Sequence, residues 1–481
     1  MRYILGFSVF ATTAAALVTQ GRRAAPEFKH VFMFSIDGLH ASDVPKYVAQ
    51  RPDSNIASLL KTGIRYPNAF TSAPSDSFPG TVAQFTGALP VTTGIWYDDT
   101  FDRSFFNPET KCIGPPGAPI SYDESIDFNA TALFTSIDPA DLPEAFLRGA
   151  CTQIFPHERL RVNTIFELVR ARGDVTTYTD KHPSYDVVRG PSGTGLTEGF
   201  FPEINAIPNT VPATIAYDTL HIEAFLNWTS GISILTGEKL PAIPTLMGGN
   251  FQAVSVAQKT SGYVNATGFP FTAPLLEALD FVDGFLGQFV SLLEERGIFE
   301  DSLLILASKH GQTPIDPNLF GEVAPALLMN LTGVPIAHAT TDDIALIFLE
   351  DEADLDQAVA NLNANREVLK IQEIIAGTQE FLARDFGNSK VDPAVPDIIV
   401  RPIKGIIYTT SHSKIAEHGG LSDDDRNVAL IVSNPNFKAQ TIEDFVETKQ
   451  VAVTALQALG IDPELLEGAK DEGTTGLPGL F

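Results

Sequence analysis

Apolar residues fall along this chain in two alternating patterns. Continuous runs at His30 to Ile36, Ser302 to Ala307 and Val428 to Val432 predict strands buried on both faces, as in a parallel sheet covered on each side. A β-rich run from Val175 to Thr179 and the stretch Asp397-Ile-Ile-Val400 join the same set. Between them the spacing turns helical. Ile56 to Lys61 is stopped by Gly63, and Ile165 to Val169 by Gly173. The longest helix runs from Pro274 to Arg296, with Leu275, Leu279, Val282, Leu286, Phe289 and Leu293 on one stripe, and Gly297 ends it. A looser stretch, Gly190 to Glu198, leads on to Leu246–Val256. Ala345 to Leu349, a helix around Ala358 to Asn365 and Val368 to Ile375 read as a small α+β insertion, and a closing helix spans Thr441 to Leu459. Strand–helix alternation predicts an α/β fold: a mainly parallel sheet with helices on both faces.

The ends and the charge narrow the setting. A basic Met1-Arg2-Tyr3, an apolar run from Ile4 to Val18 and small residues near Gly21 predict a secretory leader over residues 1–21. That run is short for a membrane anchor, and no later segment is expected to span a bilayer. Residues 22–481 then form the catalytic region, with insertions at about 100–160 and 320–395. The first of these is rich in Pro, Gly and Asp and holds both cysteines, Cys112 and Cys151, which a secreted chain is expected to pair. Sequons begin at Asn129, Asn227, Asn265 and Asn330, each a candidate glycosylation site. A net charge of -27 argues against binding a nucleic-acid duplex. An anionic substrate would therefore need local positive charge, and a metal ion is one supply.

Candidate chemistry starts at Ser77, just before Phe78-Pro79-Gly80 and a run with helical spacing. Proline suits a first helical turn, so Ser77 is expected at a helix N-terminus, where free N–H groups favour an anion and a hydroxyl can attack a phosphoryl group. The competing reading is that Ser75, Asp76 or Ser77 merely caps the helix. Other polar groups follow predicted strand ends: Asp37, Asp180 with His182, Lys309 with His310, and in a later loop His418. A carboxylate, a hydroxyl and several imidazoles form a ligand set for zinc or a similar divalent ion.

The order of these motifs carries a resemblance. Ser35-Ile36-Asp37-Gly38, Ser77-Phe78-Pro79-Gly80 with Phe85-Thr86-Gly87, His310-Gly311, Pro396-Asp397-Ile398-Ile399-Val400 and His418-Gly419 resemble the alkaline phosphatase superfamily. Within it the chain is most similar to the nucleotide pyrophosphatase/phosphodiesterase type. The resemblance implies an alkaline-phosphatase-like core, Ser77 in the place of the nucleophile, and Asp37, Ser77, His310 and His418 as metal ligands. Two departures stand out. Lys309 occupies the place of a carboxylate ligand, and Asn250 to Lys259 lacks the Asp and His that the family supplies there. The expectation is one ion, with Lys309 standing in for the charge of the second; Asp180 and His182 are candidates to replace the missing pair. The function implied is a secreted, metal-dependent hydrolase of small-molecule or glycan-linked phosphate esters, with zinc as the expected metal. A sulfatase or phosphonate hydrolase, or a pseudoenzyme that binds without turnover, are the alternatives.

Overall fold

The computed structural model describes residues 28–147 and 149–481, so the leader expected over residues 1–21 lies outside the described residues. The main sheet contains β1 (His30–Ile36), β2 (Gly63–Arg65), β3 (Thr176–Thr179), β4 (Glu198–Phe200), β5 (Leu246–Phe251), β6 (Ser302–Ala307), β7 (Leu430–Ser433) and β8 (Gln440–Thr441). Their spatial order is β8-β2-β7-β6-β1-β5-β3-β4. Parallel pairing runs from β6 through β1, β5 and β3 to β4, whereas β7 pairs antiparallel with both β6 and β2. The sheet is thus mixed, with a parallel half that carries the predicted site residues.

β1 lies in the middle and shows why its run is continuous. Val31 and Met33 enter one apolar core, and Phe32, Phe34 and Ile36 enter the other. The first core is closed by α1 (Ser77–Thr86), through Phe78, Val82 and Phe85, and by α5 (Gln450–Ala458). The second is closed by α2 (Val211–Thr229), α3 (Ala253–Thr260) and α4 (Ala273–Glu295), whose stripe is the predicted one.

Three elements differ from the sequence reading. Ile398–Pro402 does not return to the main sheet: it joins a separate antiparallel sheet, in the order Ile336–Thr341, Ala345–Leu349, Ile398–Pro402, Ile371–Ala376. A short strand buried on both faces reads alike in either sheet, and only its partners distinguish them. The closing helix starts at Gln450 rather than Thr441, because Gln440–Thr441 and Val446–Glu447 pair as short strands first. The third difference is α2, a 19-residue helix between the looser stretch and Leu246, where the sequence reading assigns no element. Its buried stripe includes Thr214, Asp218 and His221, which dilute the apolar period. Thr214 donates to the Thr210 carbonyl at 2.9 Å, and Asp218 and His221 find tertiary partners for one atom each. Asp218 accepts from the N–H groups of Gln252 and Ala253 at 2.8 Å each, capping α3 from outside, and Thr179 Oγ1 lies 2.7 Å from His221 Nδ1.

The excursion after Thr100 contains two hairpins, Asp99–Asp102 with Ala118–Ser121 and Glu144–Leu147 with Ala150–Gln153. The expected Cys112–Cys151 disulfide is present and spans 39 residues.

Candidate active site

The parallel half of the sheet gathers the site at the carboxyl ends of four adjacent strands, where open α/β sheets bind ligands. Asp37 follows β1, Asp180 and Lys181 follow β3, Asn250 and Gln252 end β5, and Lys309 and His310 follow β6. The helix α1 brings Ser77 to the same place. Its approach requires glycine: a Cβ on Gly80 would sit 2.0 Å from the Lys309 carbonyl oxygen. Phe78 fixes the helix start by stacking between Tyr122 and Tyr185, with ring centroids 4.6 and 4.5 Å away. His418 arrives on a loop pinned by reciprocal backbone bonds between Thr313 and Glu417 at 2.8 and 2.9 Å.

The competing roles of the serines and Asp76 separate cleanly. Asp76 is the N-cap, and its carboxylate accepts from Phe78 N at 3.1 Å. Ser77 is the first helical residue, and its hydroxyl is left for other partners. Ser77 Oγ lies 3.2 Å from His310 Nε2 and 3.4 Å from His418 Nε2, and it accepts from Lys181 Nζ at 3.2 Å. The N-terminal N–H groups expected to hold an anion are not free, since Phe78 N is bound by Asp76 and Pro79 has none. Positive charge at Ser77 comes from side chains.

Lys309 supplies much of it. Its ammonium stands 3.5 Å from Asp37 Oδ2 and 3.5 Å from Asp180 Oδ1, and it donates to Tyr185 Oη at 2.9 Å. Asn250 Nδ2 bridges the same two carboxylates at 3.3 Å each, and Gln252 donates to Asp37. Lys181 Nζ lies 3.9 Å from Asp37 Oδ2. Burial alone would raise the Asp37 carboxyl, yet His310, Lys309 and Lys181 hold it well below the usual carboxylate range. Behind His418, Glu417 accepts from Lys259 and Lys414; against the penalty of burial, these ammonium groups hold its carboxyl well below the ordinary value.

A hydrogen bond assigns the His310 tautomer. His310 Nδ1 lies 2.8 Å from the Gly311 carbonyl, and His418 Nδ1 lies 2.9 Å from Glu417 Oε1. His310 Nδ1 therefore donates and its Nε2 faces Ser77, while His418 Nε2 stands between Ser77 and Asp76 Oδ1, 3.5 Å away. Burial first, with His418 and Lys309 assisting against Asp37, lowers His310 to about 4, so its ring is neutral at neutral pH. The His310 Nε2 lone pair faces Asp37 Oδ1 at 2.5 Å, an oxygen that is buried without a hydrogen-bond partner. Two lone pairs held that close call for a cation or a proton between them. Asp37, His310, His418 and Ser77 supply donors suited to an ion, although the Asp37, His310 and His418 donors do not form a group within 4.8 Å of one another. On the Oδ2 side of Asp37, Lys309 and the two amides already occupy the space.

Of the other expected ligands, Asp180 joins this cluster through Lys309, Asn250 and Tyr178 Oη, which donates to it at 2.8 Å. His182 does not. Its Nδ1 lies 2.9 and 2.8 Å from the two oxygens of Glu203. Sequence reasoning gave no role to Lys181, Tyr185, Gln252 or Glu417. Lys181 stands between two residues it did single out, and a cation set between a carboxylate and an imidazole was the available signal.

A mixed α/β sheet whose parallel strands end at a buried serine, carboxylates and imidazoles is the setting of the site, with an alkaline-phosphatase-like fold. A family model for type I phosphodiesterase / nucleotide pyrophosphatase matches residues 31–421, and the chain belongs to that family, hydrolases that act on phosphate esters. The fold is similar to murine ectonucleotide pyrophosphatase / phosphodiesterase 5, in an inactive variant in complex with AMP, at 13% identity and a TM-score of 0.60. That match covers 90% of this chain and 96% of the other. The human counterpart aligns at 13% identity and a TM-score of 0.59, covering 90% and 95%. No curated protein matches the chain in sequence.

Proposed function

We propose that the chain is a secreted phosphate-ester hydrolase in which Ser77 is the nucleophile and one divalent cation works beside two lysines. The observation that carries this reading is the Ser77 hydroxyl, released from capping by Asp76 and faced by two imidazole Nε2 atoms and an ammonium. The AMP complex of the murine neighbour supports nucleotide-type esters as the substrate class.

In this reading Ser77 Oγ attacks phosphorus, the ester alkoxide leaves, and water later cleaves the phosphoseryl ester. Lys181 stabilises the forming alkoxide and the phosphoryl oxygens as a point charge. Lys309 keeps Asp37 ionised, and Asp37 orients His310. A cation held by Asp37, His310 and His418, zinc being the expected one, would lower the serine pKa and neutralise phosphoryl charge when bound. The His310 Nε2 lone pair would otherwise take up the Ser77 proton. Ser77 is 1% exposed, so substrate reaches it past Lys181 and His418, the more accessible members.

Secretion rests on the leader pattern and the disulfide, and no described helix is long and apolar enough to cross a membrane. Asn129, Asn265 and Asn330 are exposed and suit glycosylation, while Asn227 is half-buried on α2.

The test is trapping. The protein is quenched during turnover of an aryl phosphodiester, and the labelled phosphoryl group is mapped by mass spectrometry. Label on the Ser77 peptide, absent in Ser77→Ala, is expected. Full turnover by Ser77→Ala would overturn the serine mechanism, and binding without any turnover in the wild type would favour the pseudoenzyme.

A further inference from the structure

The residues around His182 form a second polar cluster outside the Ser77 site. Donor atoms of Glu124, His182 and Glu203 lie within 4.8 Å of one another. Glu203 is 0% exposed and His182 is 8% exposed. Asp127, one turn beyond Glu124, is 7% exposed, and both its carboxylate oxygens are buried without a hydrogen-bond partner. Asp127 lies beside the Glu203 carboxyl. Lys181 is the ammonium nearest in sequence, and its Nζ is engaged with Ser77. Three acids and one imidazole are thus gathered, and Lys181, the ammonium whose charge reaches Glu203, is held at Ser77 and Asp37. Burying such a set is costly unless a cation or protons neutralise it.

We propose that Glu124, Asp127, His182 and Glu203 bind a second divalent cation, of the zinc or manganese type. Carboxylate oxygens with one imidazole suit these ions better than magnesium, which keeps its waters, or calcium, which takes oxygen ligands. The backbone around the site is already fixed. Glu203 N donates to Leu133 O at 2.8 Å, Ile204 N to Lys181 O at 3.0 Å, and Asn205 N to Glu203 Oε1 at 2.7 Å. The ion would join three segments distant in sequence: the excursion at 124–127, the turn after β3, and Glu203. It would thereby hold the turn that carries Lys181 in place.

The test uses full-length protein carrying Asp37→Asn and His418→Ala, which removes the proposed Ser77-site ion from the count. Bound metal is measured by elemental analysis after dialysis against zinc or manganese, and thermal unfolding is followed with each ion added. One equivalent per chain and a Tm that rises with metal concentration are expected. Adding Glu203→Gln or Asp127→Asn should abolish both. Glu124→Gln, at a half-exposed position that leaves folding intact, should weaken uptake at least about tenfold. No bound metal, or uptake unchanged by all three substitutions, would overturn the proposal. Neither result bears on phosphoryl trapping at Ser77.

Discussion

Around Asp37 and Asp180 the protein supplies its own counter-ions: the ammonium of Lys309 lies 3.5 Å from each, and the amides of Asn250 and Gln252 fill the remaining approach. Around Asp127 and Glu203 no ammonium is bonded to the carboxylates among the described residues: Glu203 takes the His182 ring and the Asn205 N–H, and Asp127 lies beside it. Both clusters are buried and acidic at heart. The difference lies in where the neutralising charge comes from, and it has chemical consequences. A lysine is a fixed charge that cannot be chelated and offers no coordination site, whereas an ion is exchangeable and a Lewis acid. The Ser77 site therefore combines a permanent cation on one side of Asp37 with a carboxylate oxygen facing His310 on the other.

Substitutions can break or sharpen that contrast. The largest effect is expected from Ser77→Ala, which should lower turnover of an aryl phosphodiester at least about 10³-fold with little change in unfolding. Next, Lys309→Met strands two carboxylates that are fully buried. Denaturant unfolding should show a loss of about 3–5 kcal/mol, and an unchanged midpoint would mean that the lysine is not the counter-ion. Lys309→Asp should convert the first cluster into the kind seen at Glu203: stability becomes metal-dependent, and elemental analysis should find one more ion per chain. Lys181→Gln acts at a side chain that is 16% exposed and should be milder. Turnover is expected to fall about 10²-fold, with the midpoint shifted by less than about 1 kcal/mol. Cys112→Ser with Cys151→Ser loosens the excursion that supplies Glu124 and Asp127, and should cost about 2–4 kcal/mol in global unfolding, or less if the hairpins hold it.

How far each region was legible follows from the same physics. Strands β1 and β6 and helix α4 were readable because each buries an unbroken apolar run or stripe. Helix α2 was not, since Thr214, Asp218 and His221 line its buried face, and the last two find partners that only the fold provides. At the Ser77 site, Asp37, Ser77, His310 and His418 were legible from motif order, and Lys309 as a departure from it. Lys181 and Gln252 were not, because nothing local marks a side chain whose partner is more than a hundred residues away, as Ser77 is for Lys181. The Glu203 cluster was hidden for the same reason. Residue 182 looked like part of one site and belongs with residues 124, 127 and 203.

Helix α1 has one more property. All ten of its residues are buried, and at Gly80 its backbone rests on the Lys309 carbonyl with no side chain between them. Such a helix has no loose turn to fray. Its amide protons should exchange with solvent only when the whole sheet comes apart, so the slow deuterium uptake of Ser77–Thr86 would read the global unfolding free energy directly. The residue proposed for the chemistry would then sit in the last segment of the protein to let water in.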